Sequence, residues 1–481
     1  MNPISDPQLN PQIHSQSDPQ SQPWNTLQDH THTWSQQSEL PYGALSSLVL
    51  GHKPQIHCFG NWHPKELNSP LVGSQSKSVE SQEVLPSGIC SPDHLVRCAS
   101  ISKVVVALGF LRLVSLGKAT LDQDISTYLG FELRHPDHPQ VLITPRMLLS
   151  HTSSIRDGSG YSLPPNTPIQ AFFDPTSSYW NKGEHFASSI PLSSHPSPEI
   201  GKSNHSNQPS QANLDPDPSQ TRPGKFFTYS NLGFGLVGTM IERITGDRFD
   251  RWIRNEILQP LTMEGGFFPG DFDSTQQSRL VPTYRRPDPQ GPWVVQNDGP
   301  GQHQTNGPGE STYRPGTNAT IFSPQGGLRA SIKDLIKLGR FFIDSDWRAE
   351  LKLVDESLVT EMMTPQWTYN PDQPNGETYN GITRCSGLGF FLTTDTYDSL
   401  GGDRLLANPG GPKLWGHHGD AYGMVGGLMV NPEKNYLIAY ILGGTSQNPE
   451  EYLGSHSSYS FWEERIQELL LEDLGCQGVE L

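Results

Sequence analysis

Three short strings carry residue types suited to covalent acyl chemistry: Ser100-Ile101-Ser102-Lys103, then Tyr229-Ser230-Asn231, then His417-His418-Gly419. A hydroxyl, an amine three residues on and a distant phenol supply a nucleophile and two proton carriers. The first string is weak by itself, because a serine-rich chain of this length should spell Ser-x-x-Lys about once or twice by chance. Ser74-Gln75-Ser76-Lys77 and Ser115-Leu116-Gly117-Lys118 do spell it. Context separates them. The region of Ser74 is rich in Ser and Gln with no apolar period behind it, and Ser115 to Lys118 straddles Gly117, a helix stop.

Only Ser100 opens an element. Val104, Val105, Leu108, Leu111, Leu113 and Val114 follow it at helical spacing and end near Gly117, which predicts Ser100 in the first turn of a largely buried helix. Residues three apart share a helix face, so the Lys103 amine can lie beside the Ser100 hydroxyl. An apolar setting lowers a lysine pKa towards that of a base, and free N–H groups at the helix start can face an oxyanion. The plainer reading is a serine cap followed by a solvated lysine. Tyr229 stands between Phe226-Phe227 and a second helical pattern, Leu232, Phe234, Leu236, Val237, Met240 and Ile241. Its plainer reading is a core tyrosine with its hydroxyl on backbone. Tyr179-Trp180-Asn181 has a similar spelling without a helix behind it.

His417-His418-Gly419 precedes two β-like runs, Tyr422 to Val430 and Tyr436 to Leu442, joined by a turn at Asn431-Pro432-Glu433-Lys434-Asn435. The histidine is therefore expected on or just before a strand. Paired histidines with Asp420 also suggest a metal, but nothing else has ligand spacing, and no metal or cofactor is assigned. The remaining alternative is a strand-edge histidine exposed to water.

Together, the three strings in this order resemble the serine β-lactamase and penicillin-binding-protein superfamily, and within it the class C-like branch of DD-carboxypeptidases, D-aminopeptidases, esterases and acyltransferases. Further stretches carry the resemblance: Gly43 to Leu50 with Gln55 to Gly60, Ser91 to Arg97, Leu121 to Asp124, Ile143 to Ser153, Gly326-Gly327-Leu328 with Ser331 and Asp334, and Gly387 to Phe390. They cover most of the chain from about residue 40. The resemblance implies an α+β fold of the β-lactamase/transpeptidase type, an antiparallel sheet flanked by N- and C-terminal helices plus a helical domain with long loops. It implies Ser100 as nucleophile, Lys103 as the group that takes or relays its proton, and Tyr229 as the proton shuttle to the leaving group. Asn231 would orient lysine and substrate, and the oxyanion would meet the backbone N–H groups of Ser100 and of Asp420, which follows Gly419. Two positions depart from the pattern. His417 stands where many relatives have lysine, which makes a substrate carboxylate less compelled, and Ser154 stands where glycine is common after His-Thr-Ser.

The implied activity is hydrolysis of an ester or amide in a small molecule or peptide through an acyl-enzyme. An acyltransferase using the same intermediate is the alternative within enzymes, and an inactive binding protein of the same fold the alternative outside them. A binding module, however, has no chemical need for Ser100, Lys103, Tyr229 and Asn231 together.

Composition frames these elements. Residues 1 to 40 are rich in Gln, Ser, Pro, His and Asp without an apolar period and read as a disordered polar tail, in which His30-Thr31-His32 would bind metal only weakly. The catalytic domain is expected over 41–481, with an α/β lobe from 41–120 and 325–481 and a helical lobe over 121–324. A low-complexity insertion at 158–222 is expected to be solvated, although it lies where it could gate the cleft. Phe268 to Pro324 is expected to wrap the lobe of Tyr229, and Phe461 to Leu474 reads as an amphipathic helix. A net charge of −17 argues against nucleic acid or an anionic membrane as partner. The start lacks the pattern of a signal peptide and no run suits a bilayer span, so a cytoplasmic location is expected. Five irregularly spaced cysteines, Cys58, Cys90, Cys98, Cys385 and Cys476, suggest neither a disulfide framework nor zinc, and Cys98 reads as core filling. The sequons at Asn204 and Asn318 are expected to be unused. Oligomeric state is left open.

Overall fold

The computed structural model describes residues 33–34, 39–62, 88–187, 221–288, 291–296 and 313–475. His30 and His32, the Ser74 string, Asn204, Cys476 and residues 188–220 of the expected insertion lie outside the described residues.

Strands come from both ends of the chain. They are β1 (Tyr42–Val49), β2 (Gln55–Gly60), β3 (Trp367–Thr368), β4 (Cys385–Ser386), β5 (Phe391–Leu392), β6 (Trp415–Ala421), β7 (Met424–Asn431) and β8 (Tyr436–Leu442). They form one antiparallel sheet in the order β2-β1-β8-β7-β6-β5-β4-β3. The first hairpin thus docks on the last strand, with Leu45 opposite Tyr440. Side chains alternate across a strand, so β8 is apolar on both faces: Leu437, Ala439 and Ile441 enter one core, and Ile438, Tyr440 and Leu442 enter another.

There are four longer helices, α1 (Ser102–Ser115), α2 (Asn231–Thr245), α3 (Ile332–Ile343) and α4 (Phe461–Asp473); α3 and α4 pack on the sheet, and α2 packs on α1. Val104 to Leu108, Phe110, Leu111 and Leu113 of α1 are all buried, the pattern of a helix enclosed on every side. Ser230 caps α2 by accepting the Gly233 N–H at 3.0 Å, and Gly246 ends it in a left-handed conformation with φ 76°. On α4, Ser460 and Glu463 form a reciprocal capping box, while Trp462, Ile466, Leu470 and Leu471 face the sheet core. The opposite sheet face packs against α1 and α3.

Three expectations need correction. The N-terminal segment is not polar tail throughout: Trp34 is 4% exposed, lies edge-on to Phe59 and Trp462, and shares a core with Leu40. An indole beside a sheet face has enough apolar area to outweigh its polar neighbours. Within the expected solvated insertion, Leu163, Ile169, Phe172 and Phe186 join the main core, because aromatic residues spaced among its prolines share one inward side. The segment after Phe268 does more than wrap the lobe of Tyr229. Ala319 donates its N–H to Thr239 of α2, but Tyr284 donates its N–H to Gly443 at 2.8 Å and packs edge-on to Tyr42. Among the described residues no helix is long and apolar enough to cross a membrane.

Candidate active site

Ser100 sits in a 3-10 turn, Ala99–Ile101, that leads into α1, slightly earlier than the first α-helical turn expected for it. Ala99 enters that turn with φ 44°, a left-handed backbone that costs a non-glycine residue energy and recurs where a side chain must be presented. One turn later the Lys103 side chain, fully buried, lies back alongside it.

The two look-alike strings that lie in the described residues separate from the site. Lys118 and Tyr179 are exposed. Lys103, by contrast, has three partners: Ser100 Oγ at 3.0 Å, Asn231 Oδ1 at 2.9 Å and the Gln325 carbonyl at 2.8 Å. Tyr229 donates its phenolic proton to Ser100 Oγ at 2.8 Å. Burial lowers the Lys103 pKa from 10.5 to about 7, against the opposing pull of the Asp157 carboxylate. Desolvation pushes the Tyr229 phenol well above its ordinary value, so it keeps its proton.

These facts fix proton directions. A backbone carbonyl only accepts, and the Asn231 amide is oriented by its Nδ2 donating to Asp157 Oδ2 at 2.8 Å, which leaves Oδ1 for the lysine. A neutral Lys103 therefore spends both N–H bonds on Asn231 and Gln325 and turns its lone pair to Ser100. Ser100 accepts a hydrogen bond from Tyr229 while offering its own proton to Lys103. The arrangement can deprotonate an alcohol and protonate a departing atom without outside help.

Asp157 is the residue sequence reading missed. Its Oδ1 accepts the Asn231 N–H at 2.6 Å and the Leu232 N–H at 2.9 Å at the start of α2, where a helix favours negative charge. Desolvation raises its pKa and those donors oppose the rise. Tyr379 was missed too: its hydroxyl accepts the Tyr229 N–H at 3.1 Å and donates to Glu377 at 3.0 Å. His151, in the matched stretch, stacks on Tyr229 with centroids 4.5 Å apart, and its Nδ1 accepts the Ser230 N–H at 3.0 Å. Ser154 adopts φ 62°, the conformation that suits glycine, and its hydroxyl donates to the Thr221 carbonyl. The loop shape therefore survives the departure from glycine.

The other wall is β6. A Cβ on Gly419 would stand 2.6 Å from the Cys98 carbonyl and 3.4 Å from the Ala99 Cβ, so only glycine lets the strand run this close to the turn of Ser100. Asp420 follows it, opposite Val425. His417 is on the same face as Gly419, 3% exposed, with its ring centroid 4.9 Å from Phe391 and 6.1 Å from Tyr229. It is thus buried beside Tyr229, not at a wet strand edge. His418 points to the other face, its Nε2 2.9 Å from Gln467 of α4. Alternation therefore separates the two rings and removes the metal reading of the pair. Cys98 is buried, its thiol reaching the carbonyls of Val96 and Ala330, and burial pushes its pKa up to about 12, which fits core filling. Asn318 is also buried, with its amide on the Leu163 carbonyl.

Comparison with known proteins bears on the family and the fold. Residues 82–455 match the family model described as Beta-lactamase, most of the chain, and the protein belongs to that family. Esterase EstB of Burkholderia gladioli is 28% identical over 176 residues, which are 36% of this chain and 38% of that protein. The mouse mitochondrial serine beta-lactamase-like protein LACTB is 32% identical over 90 residues, 16% of each. The chain thus aligns with well under half the length of these curated relatives. Among solved structures, the octameric penicillin-binding protein homologue from Pyrococcus abyssi has a TM-score of 0.57 at 19% identity, covering 93% of this chain and 76% of that one. The D-amino acid amidase from Ochrobactrum anthropi SV3 has a TM-score of 0.55 at 17% identity, covering 93% and 97%. At such identities the likeness is one of fold.

Proposed function

We propose that this protein is a serine hydrolase that cleaves an ester or amide bond of a small molecule or peptide through an acyl-enzyme on Ser100. The observation that carries the reading is the Ser100 oxygen held between a buried amine at 3.0 Å and a protonated phenol at 2.8 Å. Its membership of the β-lactamase family and its partial similarity to an esterase support hydrolysis.

In this reading Ser100 Oγ attacks the carbonyl carbon while its proton passes to the lone pair of Lys103. The resulting oxyanion is met by the backbone N–H groups of Ser100 and Asp420. As the tetrahedral intermediate collapses, the bond to the leaving atom breaks, Tyr229 gives that atom its phenolic proton, and the Lys103 ammonium restores the phenol. Water then repeats the sequence on the acyl-enzyme and frees Ser100. Asn231 holds the lysine in register, and Asp157 holds Asn231.

Intact-protein mass spectrometry after exposure to a fluorophosphonate and, separately, to a cephalosporin tests the reading. A wild-type adduct missing from Ser100→Ala is expected. No adduct from either reagent in folded protein, or an adduct that persists in the variant, would overturn it.

A further inference from the structure

Two thiols meet at the edge of the sheet, separated from β6 by β1, β8 and β7. Cys58 belongs to the edge strand β2, where it pairs with Ala44 of β1. Cys90 comes to it through a second contact: Asn61 and Ile89 form an antiparallel bridge, and the Cys90 N–H donates to the Gly60 carbonyl at 3.0 Å. A side chain on Gly88 would stand 2.3 Å from the Trp62 indole nitrogen, so residues 88–90 are seated closely on the end of β2. The Cys90 thiol donates a hydrogen bond to the Cys58 sulfur. That bond lowers the Cys58 pKa against the opposing effect of burial, and the same bond, with burial, holds Cys90 well above its ordinary value. Cys58 is partly exposed and Cys90 is buried. The thiols of Cys98 and Cys385 are engaged elsewhere, one with the carbonyls of Val96 and Ala330, the other with the Thr368 hydroxyl.

Independently of the hydrolase reading, we propose that Cys58 and Cys90 are a reversible oxidation site that closes to a disulfide on reaction with a peroxide. The Cys58 thiolate attacks one peroxide oxygen, the O–O bond breaks, and the hydroxide that leaves takes up the proton Cys58 gave up, forming water. Cys58 is then a sulfenic acid. The Cys90 sulfur attacks the sulfenic sulfur, the S–O bond breaks, and the departing hydroxyl carries off the Cys90 proton as a second water. Two thiols are oxidised and one peroxide is reduced. The order follows from exposure and acidity, because Cys58 is the thiol an oxidant can reach and the one that ionises first. The new bond fastens residues 88–90 to the sheet edge, just ahead of the stretch that enters the turn of Ser100. It also closes the chain 59–89 into a loop, which stabilises the fold by restricting the unfolded chain.

The test exposes the reduced, folded chain to equimolar hydrogen peroxide, blocks the remaining thiols with N-ethylmaleimide in denaturant, and reads intact mass and non-reduced peptides. The expected result is the loss of two alkylatable thiols and a peptide joining Cys58 to Cys90, both reversed by dithiothreitol. The oxidised protein should also unfold at a higher denaturant concentration than the reduced one. In Cys90→Ser, dimedone added with the peroxide should label Cys58, and in Cys58→Ser it should leave Cys90 unlabelled. Cys58 and Cys90 both still free, a link through any other cysteine, Cys476 included, links between chains only, or a sulfinic acid on Cys58 beside a free Cys90 would each overturn the proposal. Dimedone on Cys90 in Cys58→Ser would overturn the order of attack, and equal unfolding midpoints would overturn the tether. The wild-type peptide map decides even if a variant does not fold.

Discussion

Burial of Lys103 sets two pH dependences that can be measured independently. Acylation requires the neutral amine, so kcat/KM should rise as pH passes about 7, and Lys103→Ala should abolish that limb along with most of the rate. For stability the sign follows from proton counts. Between about 7 and 10.5 the unfolded chain holds a proton on this lysine that the folded chain has released, so folding gains with rising pH across that window. Relative to Lys103→Met, wild type should become progressively more stable over the same range in chemical denaturation. Asp157 modulates the limb: Asp157→Asn removes a negative neighbour of the ammonium and should shift the limb below 7. A merely structural loss would lower the rate without moving the limb. Ser154→Ala keeps the left-handed backbone but removes the hydroxyl's hydrogen bond to the Thr221 carbonyl, at a cost of about 1 kcal/mol. Ser154→Gly trades that bond for relief of strain and should fall within about 1 kcal/mol of wild type in denaturant midpoint measurements. Ser100, Lys103, Tyr229 and Asn231 were legible because each stands in a contiguous string at the mouth of an apolar helix pattern. Asp157 and the Gln325 carbonyl were not, since one acts on a helix 74 residues away and the other has no side-chain signature at all.

Among the elements, β6 decides how tightly the site closes. A methyl on Gly419 would meet the backbone of Cys98, which cannot rotate away, so Gly419→Ala must push the strand outward or tilt the turn of Ser100. A displacement of about 1 Å between reacting parts costs on the order of 100-fold in rate, and kcat/KM of the variant with an activated ester, at unchanged circular dichroism, measures it. The runs Tyr422 to Val430 and Tyr436 to Leu442 and the helix from Phe461 were readable in advance, because a β-like run beside a turn and apolar residues at helical spacing are local signals. The short strands Trp367–Thr368 and Phe391–Leu392 were not. Two residues carry no periodicity, and these segments become strands only because a long neighbour gives them an edge to pair with. The same limit applies to residues 163–187, where proline and polar residues mask aromatic side chains that tertiary packing gathers into one core.

At the scale of the whole molecule, both ends of the described chain converge on one sheet face. Trp34 sits between Phe59 of the first hairpin and Trp462 of the last helix. Trp34→Ala should lower stability by about 3 kcal/mol, the usual loss for a buried aromatic ring, measured by denaturant unfolding, while Ser100 labelling under native conditions persists. The family resemblance implied the hairpin and helical spacing predicted the helix, but neither had a means of placing a lone tryptophan within polar surroundings. The route by which Lys103 becomes buried has a further consequence for folding kinetics. Ser100 and Lys103 are neighbours as soon as α1 forms, yet the amine remains an ordinary hydrated cation until Asn231 and the Gln325 carbonyl, 128 and 222 residues further along, close over it. Covalent labelling of Ser100 in a refolding chain is thus a clock for the last long-range contacts, and it should start only after helical circular dichroism has recovered.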